Sequence, residues 1–475
     1  MLFPTTDFAI FFVVVFLGHW LLNHRHRPWR LFMLAASYVF YSWWDWRFVF
    51  LLAACTVFAQ AGAVIVHRSS GDRARRAALT MTLVALLGLL GWFKYYGFFA
   101  VNLANLLRTF GISPPLPLLQ ITLPVGISFF TFMAVSYVID VYRRVLVPAP
   151  WLDFAVYLSF FPHLVAGPIV RGGELIPQIR TRRDPRRIDL GRAGYLILSG
   201  LFRKVVLSSF IASAIVDPVF GSPGQHSSLE VLFAIYGYAM QIYWDFSGYT
   251  DIAIGLALLL GFTFPENFNA PYAALSVQDF WRRWHITLSR WLRDYLYIPL
   301  GGNRKGRART YANLMITMLL GGLWHGASWT FVAWGGLHGA GLVFDHRRAE
   351  RRAAQGLPLE PQDARGRALH RLATFHFVCL GWVFFRAGSF ALALQVLARL
   401  FTGWFQASPL VTPLVLLAVA VGIGTQYVPR DVPERAQAMF SRLMPPVQGV
   451  VAAGALFAIT LLGPQGVAPF IYFRF

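Results

Sequence analysis

Long runs of apolar residues recur along most of this chain, and they constrain its fold more than any other feature. A helix that crosses a bilayer needs about 20 mostly apolar residues, and helices satisfy their own backbone hydrogen bonds inside lipid. The sequence therefore predicts an all-α, polytopic integral membrane protein, with a single domain over 1–475. On the order of eleven helices are expected to span the bilayer, at 7–23, 31–46, 47–66, 77–97, 121–142, 190–216, 228–262, 311–345, 368–386, 409–428 and 446–463.

Composition supports a membrane location over a soluble one. Hydrophobic residues make up 57% of the chain and charged residues 13%, whereas a soluble domain carries about 25% charged residues. The net charge of +21 is concentrated in short basic runs between the apolar segments. Cytoplasmic loops of membrane proteins carry such runs, so this charge indicates topology rather than nucleic-acid binding.

The basic runs predict which loops face the cytoplasm. They lie near 25–30, 68–76, 180–187, 304–309 and 347–352. The positive-inside rule places all five in the cytoplasm and the N-terminus outside. Segments 98–120 and 217–227 hold few charges and are expected to be outer loops.

Two segments are neither clean spans nor clean loops. Segment 151–170 is apolar but short and contains Pro162 and Pro168, and segment 264–300 mixes aromatic, basic and acidic residues. Irregular backbone at membrane depth survives only where protein or water satisfies it. Both segments are therefore predicted to be re-entrant or interfacial helices that line a cavity. The 311–345 run is too long for one span and is expected to hold two passes or a re-entrant hairpin.

Several chemistries find no motif here. The chain has two cysteines, both in apolar runs, and no HExxH, GxSxG or Walker A motif. A zinc site, a serine esterase and an ATP-driven pump are disfavoured, and no metal is expected.

One histidine lies deep in an apolar run, in the string GGLWHGASW at 321–329. Ionisable groups inside a membrane are costly and usually functional. The neutral imidazole of His325 can take a proton from an alcohol, and the flanking glycines allow a substrate to approach closely. The alternative is a buried histidine in a helix bundle whose small residues serve packing. Position alone leaves both interpretations open.

A second constellation is DFWRRWHITLSRW at 279–291. If it is one helix, Trp281, His285 and Ser289 share a face, and Asp279 pairs with Arg283 at i, i+4. An amphipathic interfacial helix explains the tryptophans and arginines, but it does not explain why a histidine lies on the apolar face.

A third constellation, YWDFSGYTD at 243–251, places two carboxylates in a run suited to a span. Asp245 or Asp251 is expected either to orient a histidine or to form a structural ion pair, and the ion pair is the favoured alternative. His163 and His338 also lie in apolar segments. Packing is the expected role of His338, which stands between Gly335 and Gly339.

These strings together resemble a known family. LPVGISFFTFMAVSYVIDVYR at 123–143, FFPHLVAGPIVR at 160–171, YWDFSGYTDIAIG at 243–255, PENFNAPY at 265–272, DFWRRWHITLSRWLRDYLYIPLGG at 279–302 and GGLWHGASWTFVAWGGLHG at 321–339 occur in one order. They resemble the membrane-bound O-acyltransferase family, in the bacterial branch that O-acetylates extracellular polysaccharides. The motifs concentrate in 90–345, and the flanks before about residue 80 and after about 400 resemble the family only in hydropathy.

The resemblance implies a ring of tilted helices around a central funnel. It also implies that His325 is the catalytic residue and that His285 is the second important histidine. The residues expected to support them or to bind substrate are Asp245, Trp324, Trp281, Arg282, Ser289 and Asn267. No bound cofactor is expected.

The resemblance further implies an acyl-CoA or acyl-carrier donor in the cytosol, most simply acetyl-CoA. The acceptor would be an extracytoplasmic polysaccharide, reached directly or through a membrane-anchored acetyltransferase partner. The location would be the bacterial inner membrane. Two other functions stay open from the residues alone: a transporter for a polymer or small anion, and a non-catalytic scaffold.

Overall fold

The computed structural model describes residues 1–112, 119, 121–429, 431–463 and 471. Every regular element within these residues is helical, as the sequence predicts. The chain divides into two compact units, one formed by 1–189 and 256–265, the other by 190–255 and 266–475. The single domain expected for 1–475 stays a prediction.

The first unit consists of helices of very different lengths. They are Thr6–Leu22, His26–Ser42, Phe48–Arg68, Asp72–Leu90, Tyr96–Thr109, Ile127–Tyr142, Trp151–Ser159, Phe161–Leu164 and Gly172–Arg180, with a π-helical turn at Gly91–Tyr95 and a 3₁₀ turn at Pro185–Arg187. The prediction of an outer loop over 98–120 is wrong for its first half, because the π-helical turn continues the preceding span into Tyr96–Thr109. Residues 113–118 and 120 of that segment lie outside the described residues.

The irregular segment 151–170 has the broken character that its prolines predict. Trp151–Ser159 ends one residue before Phe161–Leu164, and Pro162 occupies the first turn of the second helix, where a missing N–H costs little. The acidic side chain in this segment, Asp153, is 1% exposed and pairs with Arg30 at 2.9 Å and Arg180 at 3.0 Å. Two guanidinium partners thus compensate the burial of this carboxylate.

The second unit contains the longest helices. They are Leu190–Leu201, Ser209–Ile211, Asp217–Gly221, Ser228–Leu259 (whose last residues belong to the first unit), Val277–Arg283, Ile286–Leu292, Arg307–His325, Trp329–Ala354, Ala364–Arg386, Phe390–Thr402, Pro413–Gly424, Asp431–Arg442 and Pro445–Leu462. The π-helical turns Phe202–Ser208, Ala212–Val216 and Arg293–Tyr297 and the 3₁₀ turns Pro223–Gln225, Pro271–Ala273 and Thr425–Tyr427 complete it.

The long apolar run 311–345 folds as two helices, as its length predicts. Arg307–His325 and Trp329–Ala354 are joined by a short turn, and Ser328 caps the second helix by accepting a hydrogen bond from Thr330 N–H. A Cβ atom at Gly335 would lie 2.3 Å from the carbonyl oxygen of Met318. The two helices therefore cross at a distance that only glycine allows.

Within the described residues, five helical segments are long and apolar enough to cross a membrane: Phe48–Arg68, Asp72–Thr109, Leu190–Gly221, Ala364–Arg386 and Pro445–Leu462. Other predicted spans correspond to shorter or more polar helices. The chain is a multi-pass membrane protein, but the number of about eleven spans stays a prediction. The outer loop expected at 217–227 is partly helical, since Asp217–Gly221 continues the helix before it.

Candidate active site

His285 lies at a sharp break between two short helices. Val277–Arg283 ends just before it and Ile286–Leu292 begins just after it, while His285 itself has a φ of 43°. A positive φ is costly for a residue with a Cβ atom and marks a position that its surroundings hold in place. The expectation of one continuous helix that presents Trp281, His285 and Ser289 on a common face is therefore wrong.

Asn267 holds this break. Its side-chain oxygen accepts hydrogen bonds from Thr287 N–H at 3.1 Å and from the Thr287 hydroxyl at 2.9 Å, and it lies 3.1 Å from His285 Nδ1. Its backbone carbonyl accepts a hydrogen bond from Ile286 N–H at 3.0 Å. One buried side chain thus caps the second helix and orients the histidine. The supporting role of Asn267 in function stays a prediction.

These contacts determine the tautomer of His285. A backbone N–H can only donate, so the Asn267 atom that faces Thr287 N–H is the oxygen. That oxygen can only accept, so His285 Nδ1 carries the proton and Nε2 carries the lone pair. Burial lowers the pKa of His285 to about 3, so the imidazole stays neutral near pH 7.

His325 is the last residue of its helix and lies in an aromatic enclosure. Its ring makes edge contacts with the rings of Trp324 at 5.0 Å, Trp334 at 4.9 Å and Phe385 at 5.3 Å, and the residue is 3% exposed. Gly326 continues the chain in an extended conformation, which ends the helix at this histidine.

The glycines beside His325 serve packing rather than substrate approach. A Cβ at Gly322 would lie 2.2 Å from the carbonyl oxygen of Phe331, and one at Gly326 would lie 2.1 Å from the Phe331 ring. Both positions are thus filled by the neighbouring helix. The packing alternative holds for Gly322 and Gly326, although the histidine itself remains in an apolar enclosure.

Trp324 connects the two histidines. Its ring centroid is 6.2 Å from that of His285 and 5.0 Å from that of His325. The second unit therefore places two histidines that are 40 positions apart in sequence on either side of one tryptophan ring.

A cavity of about 690 Å³ opens next to this pair. Its lining includes Trp281, Arg282 and Ser289, three of the predicted supporting residues, together with Arg290, Arg293 and Arg304. Arg293 pairs with Asp294 at 2.7 Å. The described lining contains no acidic side chain, and it includes His346 but neither His285 nor His325. This basic cavity is suited to an anionic ligand.

The helix that begins after His285 and the helix that ends at His325 both border the cavity. Ile286 and Ser289 lie on the helix that follows His285, and Thr317 and Met318 lie on the helix that ends at His325. The two histidines therefore do not line the cavity themselves, but residues on the helices next to them do.

Asp245 does not contact a histidine through any described hydrogen bond. Its carboxylate pairs with the buried Lys204 and accepts a hydrogen bond from Ile471 N–H at 2.9 Å. Asp251 pairs with Arg203. The ion-pair alternative is therefore the one observed. The sequence gives no indication of Lys204 as the partner, because the two residues lie on separate helices.

Two residues of this region, Trp334 and His338, were not predicted as site residues from the sequence. Trp334 contacts both His325 and Trp281, and His338 accepts a hydrogen bond from Trp281 Nε1–H. They are four residues apart and share a helix face, which was the available signal, but their glycine neighbours favoured a packing interpretation.

The Asp279–Arg283 ion pair predicted from its spacing is present, with a distance of 2.9 Å between the carboxylate and Nε. Both residues lie in Val277–Arg283, so the ion pair stabilises the first of the two short helices. The pairing therefore supports the local geometry without contacting either histidine.

Comparison with known proteins covers the region that contains this candidate site. The sequence model of the membrane-bound O-acyltransferase family matches residues 38–347, which contain both histidines and the whole cavity lining. A probable alginate O-acetylase of Azotobacter vinelandii is 42% identical over 411 residues, 85% of this chain and 78% of that protein. A peptidoglycan O-acetyltransferase of Helicobacter pylori is 38% identical over 84% of this chain and 79% of that protein.

The likeness extends beyond the motifs. A probable alginate O-acetylase of Pseudomonas putida is 37% identical in an alignment that covers the full length of both chains, and the family model begins at residue 38, so the likeness extends outside 90–345. The predicted family and the predicted enzyme class, an O-acyltransferase, are both confirmed. This chain belongs to the membrane-bound O-acyltransferase family.

Proposed function

We propose that this protein moves an acetyl group from cytosolic acetyl-CoA to hydroxyl groups of an extracytoplasmic polysaccharide, with His325 as general base. The observation that carries the proposal is the basic cavity beside the buried pair His325 and His285. The relatives named for acetylation of alginate and of peptidoglycan support acetate as the group and a polysaccharide as the acceptor.

The cavity supports a phosphate-bearing donor. Four guanidinium groups surround it, and guanidinium groups bind phosphate oxygens with paired hydrogen bonds. Coenzyme A carries three phosphate groups and a long thiol arm. The proposal places the phosphates among Arg282, Arg290, Arg293 and Arg304, with the thioester extended toward the histidines.

The reaction uses the imidazole of His325 as a proton carrier. It removes the proton from the acceptor hydroxyl, the oxygen attacks the thioester carbonyl, and a tetrahedral oxyanion forms. Collapse of this species breaks the carbon–sulfur bond, and the leaving CoA thiolate takes the proton from the imidazolium. The products are an ester and free CoA, and the imidazole returns to its neutral form.

His285 positions the donor in this proposal. Its Nδ1–H is directed to Asn267, so Nε2 acts as a hydrogen-bond acceptor. An acceptor can hold an amide N–H of the CoA arm, but in the neutral form it cannot donate to the developing oxyanion. Donor positioning therefore fits this tautomer better than oxyanion stabilisation.

Purified protein in lipid nanodiscs, supplied with acetyl-CoA and an acceptor polysaccharide, tests the function. Thioester-dependent release of free thiol together with ester formation supports it. A transporter or a scaffold has no use for the thioester.

The role of His325 is tested by His325→Ala. Because His376 lies outside the site and forms a hydrogen bond with the Tyr236 hydroxyl, His376→Ala is the matched control. Equal activity in both variants would contradict the proposed role of His325.

The proposed orientation places the donor cavity on the cytoplasmic side of the bacterial inner membrane. Its rim includes Arg304, which belongs to one of the basic loops. An impermeant thiol reagent applied from outside should label cysteines placed in 217–227 but not those placed in 347–352. The reverse pattern would contradict both the orientation and the side of donor entry.

In this proposal, the acetyl group is transferred to the polysaccharide directly or through a membrane-anchored acetyltransferase partner. Thiol release without polysaccharide esterification, restored by adding such a partner, would indicate the relay.

A further inference from the structure

Two aromatic rings in series, those of Trp281 and Trp334, lead from the donor cavity to His325. Trp281 lines the cavity, and its ring lies 5.7 Å from that of Trp334. The Trp334 ring in turn lies 4.9 Å from that of His325. The indole of Trp281, which is 8% exposed, therefore lines the cavity on the side that leads through Trp334 to His325.

His338 fixes the position of this wall. Trp281 Nε1–H donates a hydrogen bond to His338 Nδ1 at 3.2 Å, between residues 57 positions apart in sequence. An indole nitrogen can only donate, so Nδ1 is the acceptor and the proton of the neutral imidazole is on Nε2. A buried indole N–H needs such an acceptor.

The imidazole of His338 has little freedom to move. Its ring is stacked on that of Phe280 at 5.8 Å and lies 4.8 Å from that of Trp334 and 5.8 Å from that of Phe377. A Cβ atom at Gly381 would lie 3.1 Å from Nε2, so that side is closed as well. The acceptor is thus held rigidly, and it holds the indole.

Simple packing does not account for these contacts. An apolar side chain of similar volume fills an aromatic enclosure without the cost of burying a polar ring. What the imidazole adds is a single acceptor directed at the tryptophan that lines the cavity. Its helix presents His338 to Trp281 and Trp334 to His325 one turn earlier.

We propose that His338 is a positioning residue that holds Trp281 as the inner wall of the donor cavity, and that this wall restricts the acyl group reaching His325 to a small one. The inference rests on the proposed function, since it assumes an acyl-CoA in the cavity. Each added methylene must displace the indole or stay short of the histidine. A fitted pocket typically discriminates one methylene by about 10- to 200-fold.

The test compares acetyl-CoA with butyryl-CoA on the full-length protein in nanodiscs. The measured quantity is the ratio of kcat/KM for the two donors. His338→Leu removes the acceptor, His338→Gln retains one, and Trp281→Phe shortens the wall. Trp382→Phe is the matched control, because Trp382 is a buried tryptophan of the same aromatic cluster that donates to Tyr272 at 3.1 Å and does not line the cavity.

We expect His338→Leu and Trp281→Phe to raise the butyryl-to-acetyl ratio about tenfold, which is the lower end of what one methylene is worth, although butyryl carries two more methylenes than acetyl. His338→Gln should keep the ratio near that of the wild type. Trp382→Phe should lower thermal stability without changing the ratio. If His338→Leu does not yield monodisperse protein, the inference is tested by the butyryl-to-acetyl ratio of Trp281→Phe against that of Trp382→Phe.

An unchanged ratio in folded His338→Leu and Trp281→Phe, or an equal change in Trp382→Phe, overturns the inference while leaving acyl transfer intact. A wild-type protein that releases thiol from neither donor overturns the proposed function and this inference with it. Normal acetyl transfer with an altered ratio supports both.

Discussion

The two histidines of the site are held in opposite ways. His285 sits in a backbone break and is oriented by a polar contact with Asn267, whereas His325 sits at a helix end among aromatic rings. The polar contact determines the tautomer of His285. The aromatic enclosure excludes water from His325, which strengthens electrostatic interactions in the transition state. This difference is consistent with the proposed division of roles, in which His285 positions the donor and His325 carries the proton.

The sharpest way to break this comparison is to remove the proton carrier. His325→Ala should lower kcat for acyl transfer by about 10²–10⁴-fold, because the general base is lost. The variant should still be extracted as monodisperse protein and should still bind CoA, measured by calorimetry. Residual activity that merely follows the amount of folded protein would instead mark His325 as structural.

Removing the positioning histidine should have a smaller effect of a different kind. His285→Ala should raise the apparent KM for acetyl-CoA about tenfold and lower kcat less than His325→Ala does, because donor contacts are lost. His285→Gln is the comparison, since a structural role would tolerate it with near-normal kinetics. If His285→Ala abolishes turnover as completely as His325→Ala and leaves donor affinity unchanged, the two histidines form one catalytic unit.

Asn267 tests whether the tautomer matters. Asn267→Ala removes the acceptor for His285 Nδ1 and for two groups of Thr287. We expect a loss of about 1–3 kcal/mol in stability, from buried donors left without this acceptor, and a KM increase below that of His285→Ala. Thr287→Val keeps Asn267 and separates the two effects. A stability loss with an unchanged KM would show that the His285–Asn267 contact serves only the fold.

The smallest effect is expected at the rim of the cavity. Arg282→Gln should weaken acetyl-CoA binding about threefold to tenfold, and the difference from wild type should shrink at high salt, because screening acts on exposed charges. Arg307→Gln is the control, since Arg307 pairs with Glu350 and does not line the cavity. Equal weakening in both variants would indicate a general charge effect rather than a phosphate site.

Local sequence patterns determined the helical membrane fold, the family and one of the ion pairs of this protein. The apolar runs predicted an all-helical membrane fold, and the length of 311–345 predicted two helices. The motif strings identified the family, and they indicated His325 and His285 as site residues, which stays a prediction. Spacing alone predicted the Asp279–Arg283 pair, which forms at 2.9 Å. These features depend on residues close together in the chain, where periodicity and motif order carry the information.

Only the tertiary structure decided which distant residues meet. The helix break at His285 depends on Asn267, 18 positions earlier. Because of this break, His285 does not share a helix face with Trp281 and Ser289. Asp245 forms an ion pair with Lys204, 41 positions away, rather than a contact with a histidine. His338 reached Trp281 across 57 positions. No local pattern encodes such pairings, because they arise from the packing of separate helices, which brings one buried donor to one buried acceptor.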